Sequence, residues 1–295
     1  MNFGIIGAGI VGTAIAIRLE QAGHRLVGVY TRSKRSYDRF CTYLQWEWRP
    51  LEEWIGEADL VFITTQDGMI RPVAEFLTQN GLYKEGQIWI HCSGSASSRI
   101  MQVNEDLPIN YLSLHPLQAF AGIDQAVELI PGTHFGIEGD AIQTGLEIVT
   151  QLGGIPHQLD PKQKPLYHAG AVVASNYLVT LAGLAVQLFE EAGIDKKEAL
   201  ESLLPLMKGT LQNLEKVGLP QALTGPIARG DVDVIREHLE HMPEEIDPVY
   251  RALGIYTLDI GKKKIELNGG VYARGVWNEI KRLMKADTYV ERTNE

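Results

Sequence analysis

The sequence predicts an α/β fold, a doubly wound and mostly parallel sheet covered by helices, followed by an all-helical domain. Three observations predict it. Short apolar runs alternate with amphipathic stretches through the first half. A glycine-rich turn joins the first apolar run to the first helical period. Beyond Asp160-Pro161 no strand pattern follows, only helical periods broken by Gly193, Pro205, Gly218-Leu219-Pro220 and Thr224-Gly225-Pro226. These place a boundary near 160, with a nucleotide-binding domain over 1–160 and a helical substrate or dimerisation domain over 161–295.

Apolar runs predict strands at Asn2–Ile6, Arg25–Tyr30, Leu60–Thr64, Gln87–Cys92 and Asn110–Leu114, with later ones at His134–Ile137 and Ile155–Gln158. Amphipathic stretches predict helices at Gly12–Ala22, Ser36–Tyr43, Ile70–Asn80, Ser97–Val103 and Asp140–Leu152. Asn80-Gly81 and Gly153-Gly154 punctuate them.

The turn Gly7-Ala8-Gly9-Ile10-Val11-Gly12 matches GxGxxG. Alone the pattern is weak, but here it follows the strand NFGII and opens a helix. That is the context of a Rossmann dinucleotide site. Gly7 permits the tight turn, Gly9 admits the pyrophosphate and Gly12 lets helix and strand pack closely. The backbone N–H groups of Ile10 and Val11 face the anion at the helix start. Thr64 and Thr65, ending the third strand, complete the expected cofactor contacts.

The second strand selects the dinucleotide. An acid at its end holds the ribose hydroxyls of NAD. This strand ends instead in Thr31-Arg32-Ser33-Lys34-Arg35, with no carboxylate before Asp38. Thr31, Arg32, Ser33 and Arg35 suit a 2′-phosphate, which predicts NADP. The competing reading is a solvated basic turn.

With 295 residues, the chain buries a sizeable core without disulfide or metal staples. Its net charge of −10 opposes binding to nucleic acid. Cys41 and Cys92 form neither a disulfide framework nor a metal motif, and no metal is expected. The start MNFGIIGAG lacks a basic leader, consistent with a cytoplasmic protein. Residues 165–189 carry no formal charge and are long enough to span a bilayer. His168, Ser175, Asn176, Thr180 and Gln187 interrupt the stretch, so we read it as a buried helix of a soluble protein or dimer.

The segments GIIGAGIVGTAIAIRLEQAGH and TRS resemble the superfamily of pyrroline-5-carboxylate reductase, prephenate dehydrogenase, ketopantoate reductase and 6-phosphogluconate-type β-hydroxyacid dehydrogenases. HCSGS, SLHPLQAF, YHAGAVVASNYLVTL and TGPIARGD together resemble one group more closely. It is the predicted oxidoreductases that join a Rossmann-like domain to a C-terminal domain of unknown function. The likeness runs over roughly residues 3 to 260 and implies an NADP-linked redox role.

Candidate catalytic groups follow from strand ends and from this resemblance. Ser93 follows the fourth strand and His115 ends the fifth, where substrate meets the nicotinamide. Prephenate dehydrogenases place a serine and the histidine of an HPMAG-like motif on substrate there; this chain departs from that motif at Gln118-Ala119. His115 could equally be a core histidine satisfied by backbone. On the long helix, Lys164, His168 and Ser175 project within about 40° of one another, with Asn176 on the shoulder. In β-hydroxyacid dehydrogenases and ketopantoate reductases an equivalent lysine donates the proton, which implies a role for Lys164; the alternative is a solvated helix-start lysine. His168 stands where the former group has asparagine. Arg229 suits a substrate carboxylate, and Asp231 reads as the cap of a helix Val232–Leu239.

The leading expectation is an NADP(H)-dependent oxidoreductase of a small keto or imino acid, a ketopantoate-type 2-keto acid being one candidate. The alternatives are a non-catalytic NADP(H)-binding redox sensor and a prephenate-dehydrogenase-like oxidative decarboxylase. The expected partners are a small-molecule substrate and a second copy of the chain, docked through the helical domain; neither nucleic acid nor a membrane is expected.

Overall fold

A computed structural model describes residues 1–285. Seven strands form one sheet: β1 (Asn2–Ile6), β2 (Arg25–Tyr30), β3 (Leu60–Ile63), β4 (Ile88–His91), β5 (Asn110–Pro116), β6 (His134–Gly139) and β7 (Ile155–Gln158). Their spatial order is β2-β1-β3-β4-β5-β6-β7. The pairings through β5 are parallel, β6 runs antiparallel to β5, and β7 is parallel to β6. The doubly wound, Rossmann-type arrangement is therefore as expected.

The helices of this half are α1 (Ile10–Gln21), α2 (Lys34–Tyr43), α3 (Leu51–Trp54), α4 (Asp67–Gln79), α5 (Ile123–Leu129) and α6 (Ile142–Gln151). They cover both faces, so the strands read as unbroken apolar runs. Phe3, Ile5, Phe62, Ile90 and Leu112 form one buried layer with α1, and Val61, Ile63, Trp89 and Ile70 form the other. Trp54 is fully buried across β1 and β2, where Gly4 and Gly28 leave room for its indole.

Two short helices, α3 and α5, escape the sequence pattern because neither is long enough to show a period. The expected helix Ser97–Val103 is only a 3-10 turn over Ser98–Met101, started by the Ser97 hydroxyl accepting from Arg99 N–H.

A 3-10 turn at Pro161–Gln163 leads into α7 (Lys164–Ala174), α8 (Asn176–Glu191), α9 (Lys196–Val217), α10 (Pro226–Arg229), α11 (Val232–Glu240), α12 (Asp247–Leu267) and α13 (Val276–Lys285). The described residues form two compact units, divided between residues 176 and 177. Strands end by residue 158, yet α7 packs with the first unit, because Lys164, Tyr167 and His168 all reach the strand ends. In the second unit Ile227, Ile235, Leu258, Ile280 and Met284 form a small core. A second cluster gathers Val186, Ala199 and Leu203.

Within the single chain, the stretch over residues 165–189 is not buried. Pro161–Glu191 is long and apolar enough to cross a membrane by length and composition, but only 6% of its most apolar window is buried. The stretch is also interrupted at Ser175, which separates α7 from α8. Tyr177, Val179 and Leu181 stand exposed on α8.

Candidate active site

The glycine turn is built as its chemistry requires. Gly7 has φ +106°, and an added Cβ would meet the Thr64 and Thr65 backbone at 2.8–2.9 Å. A Cβ on Gly12 would collide with the Thr64 hydroxyl and the Gly7 carbonyl, so α1 rests directly on the end of β3. Around Gly9, by contrast, a Cβ would meet nothing within 4 Å. That open space is what a pyrophosphate needs. Ile10 and Val11 open α1, where the first N–H groups lack helical acceptors.

A cavity of about 490 Å³ extends from this turn along the ends of β1, β2 and β3. Of the residues expected at the cofactor, Gly7, Gly9, Thr31, Arg32, Ser33, Thr64 and Thr65 line it. Arg35 does not. Helix α2 begins at Lys34, so Arg35 turns outward into solvent and Ser36 faces the cavity instead. Lys34 is tied to Asp38 at 2.7 Å. Ser33 caps α2, accepting from Ser36 N–H at 3.3 Å. The opposite wall is α4, whose Met69, Val73 and Phe76 offer an apolar face for a planar ring; sequence reading missed them because their pattern only says helix.

A polar cluster gathers at the ends of β4 and β5. His115 Nδ1 lies 3.1 Å from the Tyr167 hydroxyl. His168 stands with its ring centroid 6.0 Å from that of His115, at 78°. Both imidazoles converge on Gly94: a Cβ there would come within 2.5 Å of His168 Nδ1 and 2.7 Å of His115 Nε2. His168 Nδ1 is buried and has no hydrogen-bond partner among the described residues. Burial, reinforced by the charges of Lys164 and His168, pushes His115 down to about 4. His91, fully buried on β4, is pushed down to about 4 by the same causes, burial first and Lys164 next.

Ser93 is a staple of this loop. Its hydroxyl donates to Asp67 Oδ2 at 2.8 Å and accepts from Ala96 N–H at 3.1 Å and Ser95 N–H at 3.3 Å. Asp67 also accepts from Ser95 at 3.1 Å. Asp67 went unseen in the sequence because a first-turn acid reads as an ordinary helix start.

Lys164 is neither a solvated lysine nor an open proton donor. It is 1% exposed and donates to Ser113 Oγ and, at 3.2 Å, to Glu138 Oε1. Glu138 in turn accepts from Ser98 N–H at 2.6 Å and Ser98 Oγ at 2.9 Å. Burial pushes the lysine down, and Glu138 opposes that. Asn176 is exposed at the start of α8, where the break at Ser175 takes it off the regular helical stripe.

In the second unit, Asp231 occupies the position before α11 but does not cap it. Its carboxylate takes the Arg229 guanidinium at 2.8 Å instead, so that arginine is already paired. Among the described residues no three His, Cys, Asp or Glu side chains are grouped to hold a metal.

The turn, cavity and strand-end cluster define a Rossmann-like α/β protein. In particular, residues 1–116 match the Rossmann-like domain and residues 133–257 match a domain of unknown function, DUF2520, so the chain joins these two. Protein TM1727 from Thermotoga maritima is similar in structure, with a TM-score of 0.68 and 25% identity over 89% of this chain and 99% of that one. A putative NADP oxidoreductase, BF3122 from Bacteroides fragilis, gives 0.68 and 23% over 88% and 98%. A 1-pyrroline-5-carboxylate reductase from Streptococcus pyogenes gives 0.55 and 18% over 96% of each chain. No curated protein matches the sequence.

Proposed function

We propose that this chain is an NADP(H)-dependent oxidoreductase acting on a small keto or imino acid. The observation that carries the reading is one compact unit holding both halves of such a site. A glycine-turn cavity ends in Thr31-Arg32-Ser33, and an imidazole cluster stands at the ends of the neighbouring strands. The fold shared with a putative NADP oxidoreductase and a pyrroline-5-carboxylate reductase supports it.

In this reading Gly9 and the first N–H groups of α1 hold the pyrophosphate, Arg32 and Ser33 hold the 2′-phosphate, and Met69 and Phe76 flank the adenine. The bound nicotinamide supplies or accepts the hydride. The chain's own task is to move a proton on the substrate oxygen or nitrogen and to hold the substrate. His115 is the group for the proton, since its Nε2 packs against the Gly94 backbone at the strand ends while Tyr167 fixes its Nδ1. His168 packs against the same glycine.

A screen of 2-keto acids, cyclic imines and cyclohexadienyl acids, followed by NADPH absorbance or its reverse, tests the activity. Consumption with one class assigns the substrate. Tight NADPH binding with no turnover on any class would favour a redox sensor. We also propose that the protein works in the cytoplasm as a homodimer. Leu200, Leu204, Leu211 and Leu214 form an exposed apolar stripe on α9, and α8 shows Tyr177, Val179 and Leu181. Apolar helix faces of this kind in a single chain call for a partner.

A further inference from the structure

Lys164 and Glu138 form an ion pair in which both side chains are 1% exposed. Such a pair is costly: desolvation offsets most of the attraction, and an apolar pair of similar volume holds a fold as well. The reason for the charge is therefore to be sought in what surrounds it. Strand register places Ser113 opposite both His91 on β4 and Glu138 on β6. The ammonium that donates to Ser113 thus sits at the level of His91. Ser113 and His115 are two apart on β5, and so share one face of the sheet. Lys164, bonded to Ser113, is thus anchored on the strand that carries His115, two residues along the same face.

We propose, resting on the oxidoreductase reading above, that Lys164 is a positioning residue, a fixed internal cation that keeps His115 and its neighbour His91 as neutral imidazoles. Glu138 locks the ammonium in place and is itself clamped by Ser98. The groups facing His115 are few. Lys164, Tyr167 and His168 approach from α7, Glu138 lies on β6 bound to Lys164, and His91 and Ser93 stand at the end of β4. Two carboxylates oppose the ammonium: Glu138, spent on Lys164 itself, and Asp67 from the start of α4, whose Oδ2 already takes the hydroxyls of Ser93 and Ser95. Burial is the largest influence on His115, and the Lys164 charge adds to it in the same direction. A neutral ring offers the substrate either a lone pair or an uncharged N–H, whereas a lysine acting as acid would have to leave Glu138 and Ser113.

The test is a histidine-selective NMR titration of the full-length protein, with His115→Asn and His91→Asn assigning the signals. Wild-type His115 should stay neutral to about pH 5. Lys164→Met/Glu138→Gln, which removes the pair without leaving a lone charge, should raise the proton affinity of His115 about tenfold. Lys164→Arg should restore the wild-type midpoint. Glu138→Gln alone keeps the cation without its counter-ion and should lower the midpoint further. A folded double variant with an unchanged His115 midpoint, or a single Glu138→Gln variant that raises it, overturns the proposal. The titration needs no turnover, so it separates the two claims. A shifted midpoint in a protein inactive on every substrate class leaves Lys164 as placed and overturns the enzymatic reading. An active enzyme with an unmoved midpoint overturns only the role of Lys164.

Discussion

Gly12 lies directly beneath Thr64: a methyl group on its α-carbon would collide with the threonine hydroxyl, which itself donates to the Gly7 carbonyl at 2.8 Å. Helix, strand and turn are thus locked at one point, while Gly9 three residues earlier faces open space.

The two glycines should therefore fail differently. Gly12→Ala overpacks a closed contact and is expected to cost about 1–3 kcal/mol of stability, visible as a lowered thermal midpoint. Gly9→Ala has φ −81°, which alanine accepts, so its midpoint should match wild type. Its affinity for NADPH should still fall, because the methyl occupies the pyrophosphate space. Normal NADPH affinity in Gly9→Ala would contradict this use of the turn.

Cofactor choice is expected to rest on Arg32. Calorimetry should show NADPH bound more tightly than NADH, and Arg32→Asp should remove most of the difference. A charge-assisted contact contributes about 1.5–3 kcal/mol. Arg35→Ala should have little effect, since Arg35 does not line the cavity. Equal wild-type affinities for the two dinucleotides would sink the assignment.

Once a substrate is known, His115→Asn should lower kcat about 10²–10⁴-fold while leaving NADPH affinity intact. His168→Asn should act mainly on KM, because its Nδ1 packs against Gly94 beside His115 with no hydrogen-bond partner among the described residues. If both variants turned over at wild-type rates, the cleft would lie elsewhere.

Stability should fall in mild acid for a definite reason. His91 and His115 sit near 4 when folded, against 6.5 in the free side chain, so the unfolded chain takes up protons that the folded one refuses. Their contribution is full above about pH 6.5 and is lost as pH falls from there to 4. At about 1.4 kcal/mol per pKa unit, each ring accounts for on the order of 3 kcal/mol across that window. Urea midpoints measured at pH 7, 6 and 5 should drop steadily, and His91→Asn should flatten the slope. A wild-type midpoint constant from pH 7 to 5 would show that these rings titrate normally.

Light scattering at low micromolar concentration should return twice 32.7 kDa. Replacing Leu204 and Leu211 with glutamate, on the exposed stripe of α9, should give a monomer that stays folded. A wild-type monomer would refute the dimer.

The sheet was legible because its strands are buried on both faces and read as apolar runs, and the turn because GxGxxG met a strand and a helix in register. Less of the polar cluster was legible. His115 stood out beside a proline at a strand end, but Glu138 and Asp67 did not, since one carboxylate in a strand or a helix start carries no periodic signal. Lys164 looked like a surface lysine or an acid because spacing along a helix cannot tell which neighbours seal it in. Tyr167 carries no signal of its own in a largely apolar helix, although its hydroxyl meets His115.

The seating of α7 against the strand ends also determines where this gene tolerates division. A cut at residue 160, just past the last strand, would take away the ammonium and leave the Glu138 carboxylate sealed in the sheet with only Ser98 to answer it. Recombination that exchanges the helical half for another would meet the same obstacle unless the crossover fell after α7. The first helix beyond the sheet therefore belongs to the sheet's own unit, and a chimaera of this chain keeps Lys164, Tyr167 and His168 with the strands only if its join falls after α7.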